Sequence, residues 1–131
     1  MSDNFEFEIL TPGRKLLSTN VSEVVFHAFD GERGVLAKHE NFIGRLGTGA
    51  LKIVKEKDDY WYMVSSGVYQ VREGVLSLFA MHAESAEEID AGGASARVEA
   101  FDAKNQDPVK LAEHERDLAR LEVYKRTDLV N

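Results

Sequence analysis

Cysteine is missing from the sequence altogether. Its absence excludes disulfides, thiolate zinc sites and thiol nucleophiles, and it suits a reducing compartment. Proline is scarce, with only Pro12 and Pro108, so each one reads as deliberate punctuation of the backbone. Long apolar runs are lacking too: none comes near the roughly 20 residues that a membrane-spanning helix requires. Any membrane association is therefore expected to run through a partner. The N-terminus, Met1-Ser2-Asp3-Asn4-Phe5-Glu6, has neither the basic start and apolar core of a secretion signal nor the acid-poor character of a transit peptide. A cytoplasmic address is expected. Basic charge is in deficit as well, with a formal net charge of −7, which argues against a nucleic-acid partner.

Patterns that carry chemistry are equally sparse. Ser65-Ser66-Gly67 lacks the Gly-x-Ser-x-Gly elbow of a serine hydrolase, and no Gly-x-x-x-x-Gly-Lys-Ser/Thr loop is present to hold phosphates. Gly44, Gly47 and Gly49 read as turn glycines. The four histidines, His27, His39, His82 and His114, show no ligand spacing, so no metal site is expected. No cofactor and no catalytic residue is expected. A small hydrolase using His39 and Asp30 would still need a nucleophile and a concave site.

What is present divides into two parts of different period. At 131 residues the chain has room for one ordinary domain and a small appendage. The first part reads in period two, the mark of half-buried strands. Phe5, Phe7 and Ile9 alternate with Glu6 and Glu8. After the Thr11-Pro12-Gly13 turn, strands are expected over 15–21 and 23–29, the second ending at Asp30-Gly31. Leu51 and Ile53 begin a hairpin arm with its turn at Lys57-Asp58-Asp59 and its return arm at Tyr60 to Val64. A further pair joins Val68–Val71 to Val75–Met81 across Arg72-Glu73-Gly74. Many short strands with turns between them predict a β-sandwich over residues 1–84.

From Ser85 onward Ala, Glu, Lys, Arg and Leu dominate, and the period becomes helical. Ala94, Val98 and Phe101 predict a short helix reaching about Lys104. Asp107 as N-cap and Pro108 at the first helical position open a second helix to about Arg126. Its apolar stripe is read as Leu111, Leu118 and Leu121, with Ala112, Ala119 and Val123 beside it. Residues 85–131 thus form a C-terminal antiparallel two-helix hairpin, too small to be stable alone and obliged to pack on the sandwich or on a partner. Gly92-Gly93 is a plausible hinge. The fold class is mostly β with α.

Several segments together resemble one family. Gly31-Glu32-Arg33-Gly34-Val35-Leu36-Ala37-Lys38-His39, followed by Leu46, Gly49 and Leu51, is similar to the Gly-Glu-x-Gly-Ile-x-Pro-Gly-His region of epsilon subunits of bacterial F-type ATP synthases. Val64-Ser65-Ser66-Gly67-Val68-Tyr69-Gln70-Val71 resembles the family's Ser-Gly-Gly-x-x-Glu-Val strand pair, and Phe7 to Pro12 and Val75 to Ala80 fit its strands. Ala37-Lys38 stands where the family often has Pro-Gly, Ser66 replaces a glycine, and Gln70 replaces a frequent acid.

The resemblance implies a non-catalytic rotor subunit of the central stalk, peripheral at the cytoplasmic face of the bacterial inner membrane. Its implied partners are the gamma subunit, the c-subunit ring and, through the C-terminal helices, the alpha/beta catalytic subunits. It places Glu32, Lys38, His39 and Glu40 in loops facing the c ring. It makes Arg116, Arg120, Lys125 and Arg126 the cations that would meet acidic loops of the catalytic subunits and restrain ATP hydrolysis. An ordinary solvated helix face accounts for the same four residues. Some family members bind ATP through Ile/Leu-Asp-x-x-Arg-Ala; here Ile89, Asp90 and Ala94 match, Gly93 replaces the arginine, and Arg97 follows one turn later. Weak or absent ATP binding is expected. A reading from another class is a free-standing β-sandwich adaptor with a helical docking tail, separable by whether the chain binds gamma.

Overall fold

The computed structural model describes residues 3–37 and 40–130, with side chains through 127. Strand β1 (Phe5–Thr11) buries Phe5, Phe7 and Ile9, as its alternation requires, and turns back through Pro12-Gly13 into β2 (Arg14–Val21). Strand β3 (Glu23–Ala28) pairs antiparallel with β4 (Gly31–Leu36) across a two-residue turn. Strands β5 (Phe42–Leu46) and β6 (Gly49–Lys55) take successive stretches of the same edge of β7 (Asp58–Arg72). The last strand, β8 (Val75–Ser85), pairs antiparallel with β7 along its length and parallel with β1.

The resulting path, β2-β1-β8-β7-β5-β3-β4 with β6 joining β3 to β7, folds over on itself between β5 and β6. Two layers close over a core that includes Phe7, Ile9, Val24, Phe26, Leu51, Ile53, Leu76 and Leu78. Lys55 Nζ donates to Thr19 Oγ1 at 2.6 Å, tying β6 to β2 across the closure. The sandwich expected from the strand pattern is the observed architecture.

Two details differ from the sequence reading. The β6–β7 turn is Glu56-Lys57, both with positive φ (52° and 74°). Asp58 and Asp59 already pair with Lys55 and Val54 as the first residues of β7. A two-residue turn with both φ positive matches the twist of the flanking strands, so the polar run is shared between turn and strand. The return arms read as separate strands over 60–64 and 68–71 are one 15-residue strand with a kink at Ser66 (φ 50°) and Gly67 (φ 156°). The kink reverses facing: Tyr62 and Val64 meet the core before it, Tyr69 and Val71 after it.

Ser85 begins a 3₁₀ turn, Ala86–Glu88, whose Glu88 carboxylate accepts from Ser85 N at 3.0 Å and from Arg14 on β2 at 2.8 and 3.0 Å. Helix α1 spans Ala91–Ala100, capped by Asp90, which accepts from Gly93 N at 3.0 Å. It ends before the expected Lys104 because Asp102 Oδ1 captures the Lys104 amide at 2.9 Å and turns the backbone out of the helix. Helix α2 spans Pro108–Val130, longer than the expected end at Arg126. Asp107 caps it as expected, accepting from Val109 N at 3.0 Å. Phe101 stacks on His114 at 3.9 Å and Arg97 meets Asp117, so the two helices run antiparallel.

The hairpin lies on the outer side of the sandwich, against β6 and β7. Its packed face is not the leucine stripe. Ala119 and Val123 are buried with Ala50 and Met63, while Leu111 and Leu118 stay exposed, Leu118 at 47%. Small side chains let α2 approach the sheet closely, and the bulkier leucines turn outward.

Candidate functional site

The outer face of β7 and β8 is used twice. Before the Ser66 kink, Trp61 and Met63 point outward and are covered by α2. Beyond it Val68 and Phe79 face each other across the strand pair and lie open, at 38% and 42% exposure. Leu10 pairs with Phe79 on one side and Arg45 with Val68 on the other, so one row crosses four strands, β1-β8-β7-β5. Met81 and Ile43 extend it, and both are exposed. At its β5 end Arg45 lies 4.1 Å over the exposed Phe29 ring. Sequence reading missed this face, although a signal was there: in Val75-Leu76-Ser77-Leu78-Phe79-Ala80-Met81 both parities are apolar, where a strand with one wet side would alternate.

The residues expected to face the c ring are partly described. Glu32 stands on β4 opposite His27, exposed, and not in a loop. The Gly-Glu pair follows the turn so closely that β4 pairing has already begun at Gly31. Glu40 is exposed in the segment between β4 and β5, whose next residue, Asn41, accepts from Glu73 N at 3.0 Å and ties it to the β7–β8 turn. Lys38 and His39 lie outside the described residues. Asp30 is exposed and paired at 3.8 Å with Arg33, whose guanidinium sits 5.1 Å from the Phe42 ring and 5.7 Å from that of Tyr69. Burial pushes the Tyr69 hydroxyl above its ordinary pKa, and the Arg33 charge opposes this only in part.

The expected cations of α2 do not form a single free face. Arg120 is largely enclosed: Nη1 donates to Asp117 Oδ1 at 2.8 Å and Nε to Glu84 Oε1 on β8 at 2.5 Å. The spacing puts Arg116 and Arg120 on one face and Asp117 among the acids of α2 that pair with its cations, but Glu84 comes from β8, outside the helix. Both guanidinium charges reach His82, where burial first and then Arg116 and Arg120 lower the pKa. Lys125 is exposed. Arg126 lies 5.6 Å from the Trp61 ring and pairs with Glu122 at 3.8 Å.

At the degenerate nucleotide motif, Ile89 packs with the helix–sheet cluster and Asp90 is occupied as the α1 cap. A side chain at Gly93 would begin 2.4 Å from the Asp90 carboxylate. Arg97 is committed to Asp117 through two bonds of 2.9 Å. Among the described residues no group of His, Cys, Asp or Glu is placed to hold a metal, and no helix is long and apolar enough to cross a membrane.

Residues 4–86 match the family described as ATP synthase, Delta/Epsilon chain, beta-sandwich domain. The chain is 39% identical over 97 residues to the ATP synthase epsilon chain of Pelotomaculum thermopropionicum, covering 73% of this chain and 72% of that one. With the ATP synthase epsilon chain of Caldicellulosiruptor saccharolyticus it shares 32% identity over 117 residues, 89% of this chain and 85% of the other, a match long enough to run into the helices. A chain in the cryo-EM structure of the Euglena gracilis mitochondrial ATP synthase has the same fold, with a TM-score of 0.71 at 24% identity over 99% of this chain and 82% of that one. On the matched sandwich and the identity to epsilon chains, this chain belongs to the ATP synthase epsilon chain family.

Proposed function

We propose that the chain is a non-catalytic coupling and regulatory subunit that docks on gamma through the open half of its outer sheet face. The observation that carries this is the row Leu10, Phe79 and Val68, extended by Met81 and Ile43. The covered half of the same face, around Met63, is sealed by this chain's own α2. The open half exposes Val68, Phe79, Met81 and Ile43 and has no cover among the described residues. Apolar surface of this kind gains roughly 25 cal/mol per Å² on burial, so a partner is favoured there.

In this reading Glu32 and Glu40 stand toward the c ring, and the subunit couples ion translocation to ATP synthesis. It works as a peripheral protein at the cytoplasmic face of the bacterial inner membrane. The helical hairpin restrains ATP hydrolysis when it leaves the sandwich and turns Arg116, Arg120, Lys125 and Arg126 toward the alpha/beta subunits. The hydrolytic step belongs to those subunits, and this chain contributes no cofactor.

Gel filtration of the chain mixed with purified gamma subunit tests the docking face. The parent is expected to co-elute with gamma, and the Val68→Glu/Phe79→Glu variant to elute alone with its β-sheet circular dichroism intact. Co-elution of the variant would move the gamma site elsewhere. Failure of the parent to co-elute would favour the free-standing adaptor.

A further inference from the structure

We infer that Asp117 is the keystone of an intramolecular latch that holds the helical hairpin on the sandwich. This inference stands apart from docking on gamma, because every group in it belongs to this chain. Asp117 is 2% exposed, among the most enclosed residues of α2. A carboxylate there carries a large desolvation cost unless it is paired and hydrogen-bonded. Arg97 on α1 supplies two bonds of 2.9 Å, and Arg120 on α2 a third of 2.8 Å. Arg120 then bonds Glu84 on β8. One chain of charges thus runs from α1 through α2 to the sandwich.

The apolar contact beneath α2 is thin. Its fully packed members are Ala50, Met63, Ala119 and Val123, two of them alanines. Helices in proteins draw most of their stability from tertiary packing, and a contact this small leaves the charge network to decide whether the hairpin stays down. Local design agrees. The Arg97 guanidinium comes within 3.3 Å of where a Cβ at position 93 would sit, so glycine at 93 clears the approach from α1 to Asp117. The leucines facing outward add nothing to the hold.

Removing one member of such a network leaves the enclosed charges, Asp117 and Arg120, with fewer partners than their burial requires. Asp117→Asn keeps the shape of the side chain but removes its charge, so the half-exposed Arg97 loses its acid and the largely enclosed Arg120 is left with Glu84 alone. The hairpin should then detach while the sandwich persists.

Hydrogen exchange of the full chain, read by mass spectrometry, tests this. In Asp117→Asn the amides of α1 and α2 are expected to exchange faster by roughly a hundredfold, with strand amides unchanged. Arg97→Gln, at a half-exposed side chain, should accelerate the helices in the same direction. Glu99→Gln, which removes an exposed carboxylate from α1, should behave as the parent. Helix protection unchanged in both Asp117→Asn and Arg97→Gln would overturn the latch. So would equal acceleration in Glu99→Gln, which would make net charge the cause, or loss of strand protection together with the helices in Arg97→Gln, which would make these residues part of one cooperative core.

Discussion

Gly67 lies against the backbone of Phe79: a Cβ at position 67 would sit 1.8 Å from the Phe79 carbonyl oxygen. The same glycine has φ 156° and closes the kink that begins at Ser66. This contact divides the outer face of β7 into a half covered by α2 and a half left open.

Gly67→Ala should therefore damage stability more than a usual strand substitution. The neighbouring atom is backbone on a central strand, so relief requires parting β7 from β8. A loss of about 3 kcal/mol or more is expected, at the upper end of point substitutions. Urea unfolding of the purified variant measures it. A change below about 1 kcal/mol would mean that the strands separate there at little cost.

Acid should release the hairpin before it melts the sandwich. Burial raises the Asp117 carboxyl pKa, but the bonds and charges of Arg97 and Arg120 more than reverse this, leaving it below the ordinary value. Glu84 on β8 faces Arg120, Asp90 and Glu113 act on Arg97, and His82 and Arg116 lie beside the network. A carboxyl with a depressed folded pKa contributes stability above the unfolded value, and that stability is lost as pH falls through the folded one. The window is thus below about pH 4. Trp61 sits at the hairpin interface and is the sole tryptophan, so its emission reports the event. A red shift below pH 4 is expected in the parent, while Asp117→Asn should already be shifted at neutral pH. An Asp117→Asn variant that titrates like the parent would assign the transition to another acid.

His82 offers a check on the electrostatics beside α2. Burial lowers its pKa first, then the Arg116 and Arg120 charges, with Glu84 opposing. A histidine with a lowered folded pKa contributes stability above its ordinary value of about 6.5, and this is lost as pH falls. Replacing Arg116 by Gln should raise the His82 pKa toward the ordinary value, visible in its ring proton shifts by NMR titration. If the hairpin does not rest on the sandwich in solution, the substitution will leave His82 where it was.

Helix α2 begins where sequence rules place it, and the strength of that start is measurable. Asp107 Oδ1 accepts from Val109 N and the Asp107 carbonyl accepts from Leu111 N at 2.9 Å. Asp107→Ala should cost about 1 kcal/mol of helix stability. Fraying of the first turn, seen as faster exchange over 108–112 alone, is the expected signature.

Much of this fold was legible because its signals are local. The alternation of Phe5, Phe7 and Ile9, the Asp107-Pro108 start and the Glu73-Gly74 turn each depend on a few adjacent residues. What escaped depends on distance. The outward turn of Leu111 and Leu118 follows from how closely α2 can approach Met63, which no helical period encodes. The fusion of two strands into β7 follows from β8 pairing straight past Ser66. Of the candidate site, Arg116 and Arg120 were placed on one face by their spacing, but the acids that occupy Arg120 come from β8 and from within α2.

The proposed restraint of hydrolysis can be separated from assembly by ending the chain after Glu88. The 3₁₀ turn and its Arg14–Glu88 pair would remain to close the sandwich, while α1, α2 and the four α2 cations are removed. Loss of α2 uncovers Met63 and Trp61, so the truncated chain should be less soluble than the parent but retain its β-sheet. The open row around Val68 and Phe79 is untouched, and binding to gamma should persist. ATPase activity of the reassembled complex should then rise several-fold above that with the full chain. Equal activity with gamma still bound would remove the restraint and leave the docking face standing. Loss of gamma binding would show instead that the hairpin carries part of the interface.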